Sequence, residues 1–189
     1  ALMRQAQSVK KGVKESGGTP REFCTITVTD GIAMGHEGMK SSLISREIIA
    51  DSAELTVRGH CYDALVGIAG CDKSLPGLMM SMLRLNVPSV FIYGGSILPG
   101  KFKGKDVTVV DVFEAVGKHS SGKMTSEELR ELELVACPSA GACGGQFTAN
   151  TMACVSEAIG LALPYSAGTP APYEERDQYA FKSGKAVMN

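Results

Sequence analysis

The sequence predicts an α/β fold, with a mostly parallel sheet, helices on both faces and a ligand site at the C-terminal strand ends. Three short apolar or β-rich runs indicate strands, and two segments with helical spacing of apolar residues separate them. Strands alternating with helices favour right-handed βαβ units. In chain order these five segments are Phe23–Val28, Ser42–Val57, Ala64–Ala69, Leu78–Leu85 and Pro88–Tyr93.

The rest of the chain adds helices and turns around this unit. A leading helix is expected to stop at a glycine- and proline-containing turn, and a polar, glycine-rich stretch is expected to be a loop. Thr125 or Ser126 is a plausible N-cap for one of three later helices. The expected segments are helices Leu2–Ser16, Asp111–Gly117, Ser126–Val135 and Thr148–Leu161, with loops Gly31–Lys40 and Leu98–Lys105.

Length and composition fit a single globular domain, and they predict neither nucleic-acid binding nor membrane association. The chain has 189 residues, 44% hydrophobic, and a net charge of −1 from 19 basic and 20 acidic residues. No apolar run approaches the roughly 20 residues needed to span a bilayer. Six scattered cysteines in a chain with an adequate core favour reduced, cytosol-like surroundings over a disulfide scaffold. Because the sequence starts at Ala1 with helical spacing already under way, we expect it to be a piece of a longer protein.

The most informative chemistry lies directly after the Ala64–Ala69 run, where Cys71, Asp72 and Lys73 follow one another. Open α/β sheets build their ligand sites at this edge. Thiolates suit iron–sulfur clusters or zinc, whereas carboxylates suit magnesium or manganese, so the adjacent pair suggests two neighbouring metal centres. The alternative is a buried cysteine beside a surface Asp–Lys pair. In a parallel sheet, Asp30 and Gly94 would lie at the same edge.

A second cysteine, Cys143, lies within the small-residue segment Gly141–Gly145, just before a predicted helix. Small neighbours would let inorganic sulfur approach the backbone, and a helix N-terminus favours thiolate. A tight turn with a filler cysteine remains an alternative. A phosphate-binding loop is also possible, but the Gly-Lys-Ser/Thr ending is missing. Five residues separate Cys137 from Cys143, whereas the Cys-x-x-Cys motif of zinc ribbons has two, so a zinc site is disfavoured.

Four segments together resemble the dihydroxy-acid/6-phosphogluconate dehydratase family, whose members include dihydroxy-acid dehydratases and sugar-acid dehydratases. The resemblance extends in order over nearly the whole chain. Its motifs occupy residues 30–39, 42–52, 70–73 and 140–152.

This resemblance implies two cofactors. An iron–sulfur cluster, 2Fe-2S or 4Fe-4S, would be held by Cys71, Cys143 and a third cysteine in a Cys-Asn-x-His segment preceding Ala1. A Mg²⁺ ion would be held by Asp30, Asp72 and a carbamylated Lys73. Carbamylation is chemically reasonable, because an ammonium repels a cation whereas a carbamate offers it an anionic oxygen.

The resemblance also implies an activity, dehydration of a small-molecule 2,3-dihydroxy acid to a 2-keto acid in valine and isoleucine biosynthesis. The family's catalytic serine base and a further magnesium-binding glutamate belong to a C-terminal part absent here, so no catalytic residue is assigned and the chain alone is expected to be inactive. The full-length enzyme would be a homodimer in the cytoplasm, or in an organelle matrix or stroma. Two alternatives stay open, a sugar-acid dehydratase and a non-catalytic metal-binding α/β domain.

Other residues carry weaker expectations. His36 is expected to be solvent-exposed or structurally bonded rather than a base. Ser42, Ser45 and Arg46 would cap a helix or bind a substrate carboxylate. Three remaining cysteines are expected to be core or inert thiols, and three methionines are expected to pack a helix. These six residues are Cys24, Cys61, Cys154, Met79, Met80 and Met82.

Overall fold

Two parallel strands, β1 (Leu65–Ala69) and β2 (Ser89–Tyr93), lie at the centre of the computed structural model, which describes residues 1–189. Their register runs from Leu65 opposite Ser89 to Ala69 opposite Tyr93. Helix α4 (Ser74–Leu85) connects them. The predicted βαβ unit is therefore confirmed, although the sheet is smaller than expected. An isolated parallel bridge between Phe91 and Ala162 is the only further pairing of β2.

Helices cover both faces of this strand pair. Alternate residues of a strand point to opposite faces, so each face has its own core. One face carries Leu65, Ala69, Phe91 and Tyr93 and packs against α3 (Met39–Gly59), α4 and α7 (Thr148–Ala158). Ile92, Val66 and Ile68 belong to the opposite face, where α1 (Leu2–Glu15) and α8 (Glu174–Ala186) provide the cover.

Glycine brings α1 and α8 into close contact. A Cβ atom added at Gly12 would overlap with the carbonyl oxygen of Phe181, and one at Gly184 would overlap with the carbonyl oxygen of Val9. The two helices thus pack backbone against backbone. This contact places the start of α1 and the start of α8 beside the end of β2.

The first predicted strand, Phe23–Val28, was wrong. These residues form neither strand nor helix, and residues 20–28 make no backbone–backbone hydrogen bond. The segment lines one side of a cavity of about 1030 Å³, and β1 lines another. The β-branched run matches strand propensity, but propensity alone cannot form a strand without a partner at hydrogen-bonding distance.

The predicted loop Leu98–Lys105 was also wrong, because it contains most of an antiparallel hairpin, β3 (Gly100–Phe102) and β4 (Lys105–Val107). Lys103 and Gly104 both have positive φ, as a two-residue hairpin turn requires. Helices α5 (Val109–Ser120) and α6 (Ser126–Val135) pack on this hairpin around Val107, Ala115, Leu132 and Ala136. Each helix starts with a capping box, and Thr125 is the N-cap of α6 as predicted.

The other observed element boundaries differ from the predicted ones by about one helical turn or less. Helices α3, α4 and α5 begin before their predicted starts, and α7 ends three residues before its predicted end. A single turn, α2 (Asp30–Ala33), lies at the start of the predicted Gly31–Lys40 loop. No helix in the structure combines the length and apolar character needed to cross a membrane.

Candidate metal centres

The chain brings two carboxylates and one amine together where β1 ends. Lys73 Nζ lies 2.7 Å from Asp30 Oδ2 and 2.6 Å from Asp72 Oδ2. Asp72 and Lys73 lie in the turn between β1 and α4, and Asp30 is the first residue of α2. All three side chains are largely shielded from solvent, with 11–17% of each exposed. The structure thus places the three predicted magnesium-binding residues in one cluster.

Ser42 is a fourth member of this cluster. It is fully buried in the second turn of α3, and its hydroxyl donates a hydrogen bond to Asp30 Oδ1. Because α3 begins at Met39 with Gly38 as its N-cap, Ser42 does not cap the helix. Its observed role is to hold the Asp30 carboxylate, which neither of its predicted roles anticipated.

The charged forms of Asp30 and Lys73 stabilise each other. Burial by itself would raise the Asp30 pKa, but interactions with Asp72, Lys73 and Ser42 outweigh it and lower the Asp30 pKa to about 2. Burial would likewise lower the Lys73 pKa, but its bonds to Asp30 and Asp72 raise it. At neutral pH an ammonium therefore lies between anionic groups. Conversion of that amine to a carbamate would replace the positive charge with an anionic oxygen donor.

Cys71 lies beside the acidic cluster. Its Sγ donates to Asp72 Oδ1 over 3.0 Å, and its backbone N–H donates to Ser74 Oγ over 3.1 Å. Ser74 starts α4 and returns a hydrogen bond to the Cys71 carbonyl oxygen at 2.9 Å. Burial raises the pKa of this half-buried thiol. A thiol and a carboxylate of opposite metal preference are thus in direct contact.

Cys143 approaches the same region from the turn before α7. Burial raises the pKa of its thiol, whereas the backbone N–H groups of Ala149 and Asn150, in the first turn of α7, act to lower it. These N–H groups have no partner within the helix and favour negative charge at the sulfur. The expected position of Cys143 before a helix N-terminus is confirmed.

The turn that carries Cys143 is fixed onto the end of β2. Ala142 N donates to the Gly95 carbonyl oxygen over 2.9 Å, and Ile97 N donates to the Cys143 carbonyl oxygen over 2.7 Å. Gly141 has φ +155°, and a Cβ atom there would overlap with the backbone of Ser96 and Ile97. A glycine is therefore required at this contact, which sets the position of Cys143.

The two half-buried thiols share a neighbour, Tyr93. Both Cys71 and Cys143 contribute to raising the pKa of the Tyr93 hydroxyl, after the larger effect of its burial. All six cysteines are free, so neither thiol is held in a disulfide. No group of three or more His, Cys, Asp or Glu side chains in the chain is arranged to hold a metal ion.

The remaining cysteines lie elsewhere. Cys24, Cys61 and Cys154 are exposed, so they do not pack in a core, and the alternative that they are inert thiols stays a prediction. Cys137 is exposed as well. Cys24 is exposed because the strand predicted for Phe23–Val28 does not form. Cys154 is exposed because it occupies an outward-facing position of α7. Met79 and Met82 pack in the core as predicted.

His36 lies where the sequence suggested. Its ring is exposed and bonded locally, with Nδ1 accepting from Gly38 N at 3.0 Å and Nε2 lying 2.9 Å from the Ile32 carbonyl oxygen. These contacts order the turn between α2 and α3.

Sequence reasoning missed two residues that contact the candidate site or support it, namely Tyr93 and Arg176. Ser42 was predicted to cap a helix or to bind a substrate carboxylate, neither of which anticipates its contact with Asp30. Tyr93 looked like the apolar end of a strand. Arg176 lies in the C-terminal stretch for which no element was predicted. The one available signal was a tyrosine at a buried strand end, since a buried tyrosine hydroxyl usually needs a partner.

Comparison with known proteins is consistent with these features. The family model described as Dihydroxy-acid/6-phosphogluconate dehydratase N-terminal matches residues 1–189. Over the whole chain, the sequence is 90% identical to a dihydroxy-acid dehydratase from Pelagibacter ubique and 84% identical to one from Parvibaculum lavamentivorans, and it spans 33% of each. It is 56% identical to an archaeal dihydroxy-acid dehydratase from Sulfurisphaera tokodaii, of which it spans 34%. The chain thus covers about a third of the length of these relatives and belongs to the dihydroxy-acid/6-phosphogluconate dehydratase family.

Proposed function

We propose that the chain is the N-terminal part of a dihydroxy-acid dehydratase, a hydro-lyase that converts a 2,3-dihydroxy carboxylic acid to a 2-keto acid in valine and isoleucine biosynthesis. The observation that carries this proposal is the contact between two chemically different sets of ligands. Cys71 Sγ lies 3.0 Å from Asp72 Oδ1, and Asp72 Oδ2 lies 2.6 Å from Lys73 Nζ. Removal of water from a diol acid benefits from one metal at the leaving hydroxyl and another at the carboxylate.

The thiol side of the site fits an iron–sulfur cluster. Cys71 and Cys143 are free, half-buried and bordered by the small residues Gly70, Ala142 and Gly144. The N–H groups of Ala149 and Asn150 stabilise negative charge at the Cys143 sulfur. These features suit thiolate ligands to iron. A third ligand is proposed to come from another part of the full-length protein.

The oxygen side fits Mg²⁺ once Lys73 is carbamylated. Asp30 and Asp72 supply two carboxylates, and Ser42 orients the first of them. Carbamylation forms an N–C bond between a deprotonated Nζ and carbon dioxide, with release of a proton. The product would give this cluster a third anionic donor, consistent with the preference of Mg²⁺ for oxygen ligands.

Bound at these residues, iron would supply a Lewis acid for the departing 3-hydroxyl and Mg²⁺ one for the substrate carboxylate and 2-hydroxyl. The chain's own part is to hold the two sets of donors side by side, on the turn after β1, at the start of α2 and in the turn before α7. Chemistry at C2 needs a base, which the family resemblance assigns outside this chain. We therefore propose that residues 1–189 alone bind ligands without turning over substrate.

The test is turnover by the purified full-length protein after anaerobic cluster reconstitution with Mg²⁺. We expect 2-keto acid from 2,3-dihydroxyisovalerate and much less from a longer polyol acid. The matched control is the same protein carrying Cys143→Ser. Faster turnover of the polyol acid would instead indicate a sugar-acid dehydratase. Metal uptake with no turnover of either substrate would indicate a non-catalytic metal-binding domain, and robust turnover by residues 1–189 alone would overturn the placement of the base.

A further inference from the structure

Tyr93 ends β2 opposite Ala69, so its side chain lies at the level where β1 leads into Cys71. Only 1% of the residue is exposed. Its ring packs in the same core as Ala149 and Ala153 of α7, and Cys143 is half-buried against that core. The aromatic ring is therefore fixed, and the direction of its hydroxyl is fixed with it.

The Tyr93 hydroxyl is buried and has no hydrogen-bond partner of standard geometry. Burial raises the Tyr93 pKa and the Cys143 thiol raises it further, whereas burial raises the Cys143 pKa and Tyr93 acts against that rise. A buried hydroxyl without a partner is destabilising. A neutral thiol is a weak acceptor, whereas sulfur bound to iron carries negative charge, so the buried hydroxyl would gain a good partner when Cys143 ligates a cluster.

Arg176 lies against the same tyrosine. Its side chain is fully buried, and the centre of its guanidinium is 5.7 Å from the centroid of the Tyr93 ring. Nη1 donates to the Tyr93 carbonyl oxygen over 2.9 Å, and Nη2 donates to the Thr169 carbonyl oxygen. Burial lowers the Arg176 pKa to about 10, so the group remains charged at neutral pH.

This buried cation has no carboxylate partner. Arg176 forms no ion pair, and its Nε has no hydrogen-bond acceptor. Glu157, a nearby carboxylate, instead accepts the backbone N–H groups of Tyr165 and Ala167. A buried charge without a partner is expensive. Burial raises the Tyr93 pKa, and the Arg176 charge beside the ring acts to lower it.

We propose that Tyr93 is a positioning residue that donates a hydrogen bond from its hydroxyl to the Cys143 sulfur when that sulfur ligates iron, and that Arg176 strengthens this donor through the ring. The inference rests on the proposed iron–sulfur cluster. Hydrogen bonds to ligand sulfur withdraw electron density and raise the reduction potential of a cluster. Tyr93 and Arg176 would then keep the sulfur electron-poor, which favours the Lewis acidity of the iron.

The test uses the full-length protein reconstituted anaerobically, with Tyr93→Phe as the variant and Tyr179→Phe as the matched control. Tyr179 is half-buried against the core on the opposite face of the strands, so its change also removes a hydroxyl without removing a ring. We expect Tyr93→Phe to shift the midpoint potential to a more negative value and to change the thiolate-to-iron absorption. The control should match the wild type in both measurements.

Arg176→Met tests the second half of the proposal in a double-variant cycle. It should lower the potential when Tyr93 is present and have a smaller effect in the Tyr93→Phe background. Equal effects in both backgrounds would mean that the charge does not act through Tyr93.

The remaining outcomes separate this inference from the proposed function. A wild-type protein that forms no visible cluster would overturn the proposed function. A wild-type cluster whose potential and spectrum are unchanged by Tyr93→Phe would overturn only the inference. Cluster loss in Tyr93→Phe with an unchanged apoprotein melting temperature would support it, whereas cluster loss with a lowered melting temperature would make Tyr93 a structural residue and contradict it.

Discussion

Lys73 Nζ lies 2.7 Å from Asp30 Oδ2, although the two residues are 43 positions apart in the sequence. Asp72 completes the contact at 2.6 Å from the same nitrogen. The β1–α4 turn supplies Asp72 and Lys73, and the first residue of α2 supplies Asp30. The cluster therefore depends on the tertiary structure, which brings the start of α2 against the β1–α4 turn.

We expect two of the cysteines to ligate the iron–sulfur cluster and the exposed ones not to. In the full-length protein, Cys71→Ser or Cys143→Ser should abolish the visible absorption of the cluster, because a hydroxyl is a poor substitute for thiolate on iron. Cys24→Ser, Cys61→Ser and Cys154→Ser are the matched controls, since these three thiols are exposed.

Cys137→Ser provides the sharpest check on this assignment. Cys137 belongs to the same inter-helical segment as Cys143, but it is exposed. Loss of the cluster in Cys137→Ser, together with its retention in Cys143→Ser, would show that the wrong cysteine had been assigned.

Prediction from sequence succeeded where the signal was local. The apolar runs that became β1 and β2, and the Cys71-Asp72-Lys73 turn after β1, are short patterns with one favoured structure. The Phe23–Val28 run has the same local character but lacks a pairing partner, so its propensity was misleading. The β3–β4 hairpin was missed because its two-residue turn at Lys103 and Gly104 joins strands of only three residues each.

In the candidate site, too, residues in local motifs were predicted and contacts between distant residues were not. Asp30, Asp72, Lys73, Cys71 and Cys143 occur in recognisable motifs. Two supporting contacts, Ser42 with Asp30 and Arg176 with Tyr93, join residues 12 and 83 positions apart, and no periodicity marks them. Their roles follow only from which side chains the packing brings together.

Lys73→Arg should abolish activity, because a guanidinium stays protonated and cannot form a carbamate. The measurement is turnover of the full-length protein beside the carbamate signal from ¹³C-labelled bicarbonate. Lys101→Arg is the control, since Lys101 is an exposed residue of β3 paired with Asp106. Full turnover by Lys73→Arg would show that no carbamate is needed.

Gly141→Ala should displace the turn that carries Cys143. A Cβ atom at this position would overlap with the backbone of Ser96 and Ile97, and backbone cannot move aside as a flexible side chain can. We expect a loss of about 1–3 kcal/mol in the free energy of unfolding, typical of overpacking, and lower iron and sulfide content. Gly117→Ala on α5, where a Cβ atom would meet nothing within 4 Å, is the control. Normal iron content with unchanged stability would contradict the tight fit.

Acid should remove the stabilising contribution of Asp30. Its pKa is lowered from 3.8 to about 2 on folding, so the folded state favours the carboxylate. A lowered pKa contributes stability that is complete above the unfolded value and is lost as the pH falls through the folded value. The unfolding free energy of metal-free wild type relative to Asp30→Asn should be constant above about pH 4 and should shrink toward pH 2. A difference that grows on acidification would contradict the observed contacts.

The most direct test of two separate centres is iron and sulfide content measured beside Mg²⁺-titrated turnover in full-length Asp30→Asn. An amide oxygen replaces a carboxylate poorly at a Mg²⁺ site, so the Mg²⁺ concentration for half-maximal turnover should rise roughly tenfold or more, equivalent to about 1.4 kcal/mol. Asp106→Asn, at an exposed hairpin position, should behave as the wild type. The account predicts normal iron and sulfide in Asp30→Asn. Loss of iron in step with loss of turnover would mean that Asp30 supports the cluster or the fold, and would contradict the assignment of thiols and carboxylates to different metals.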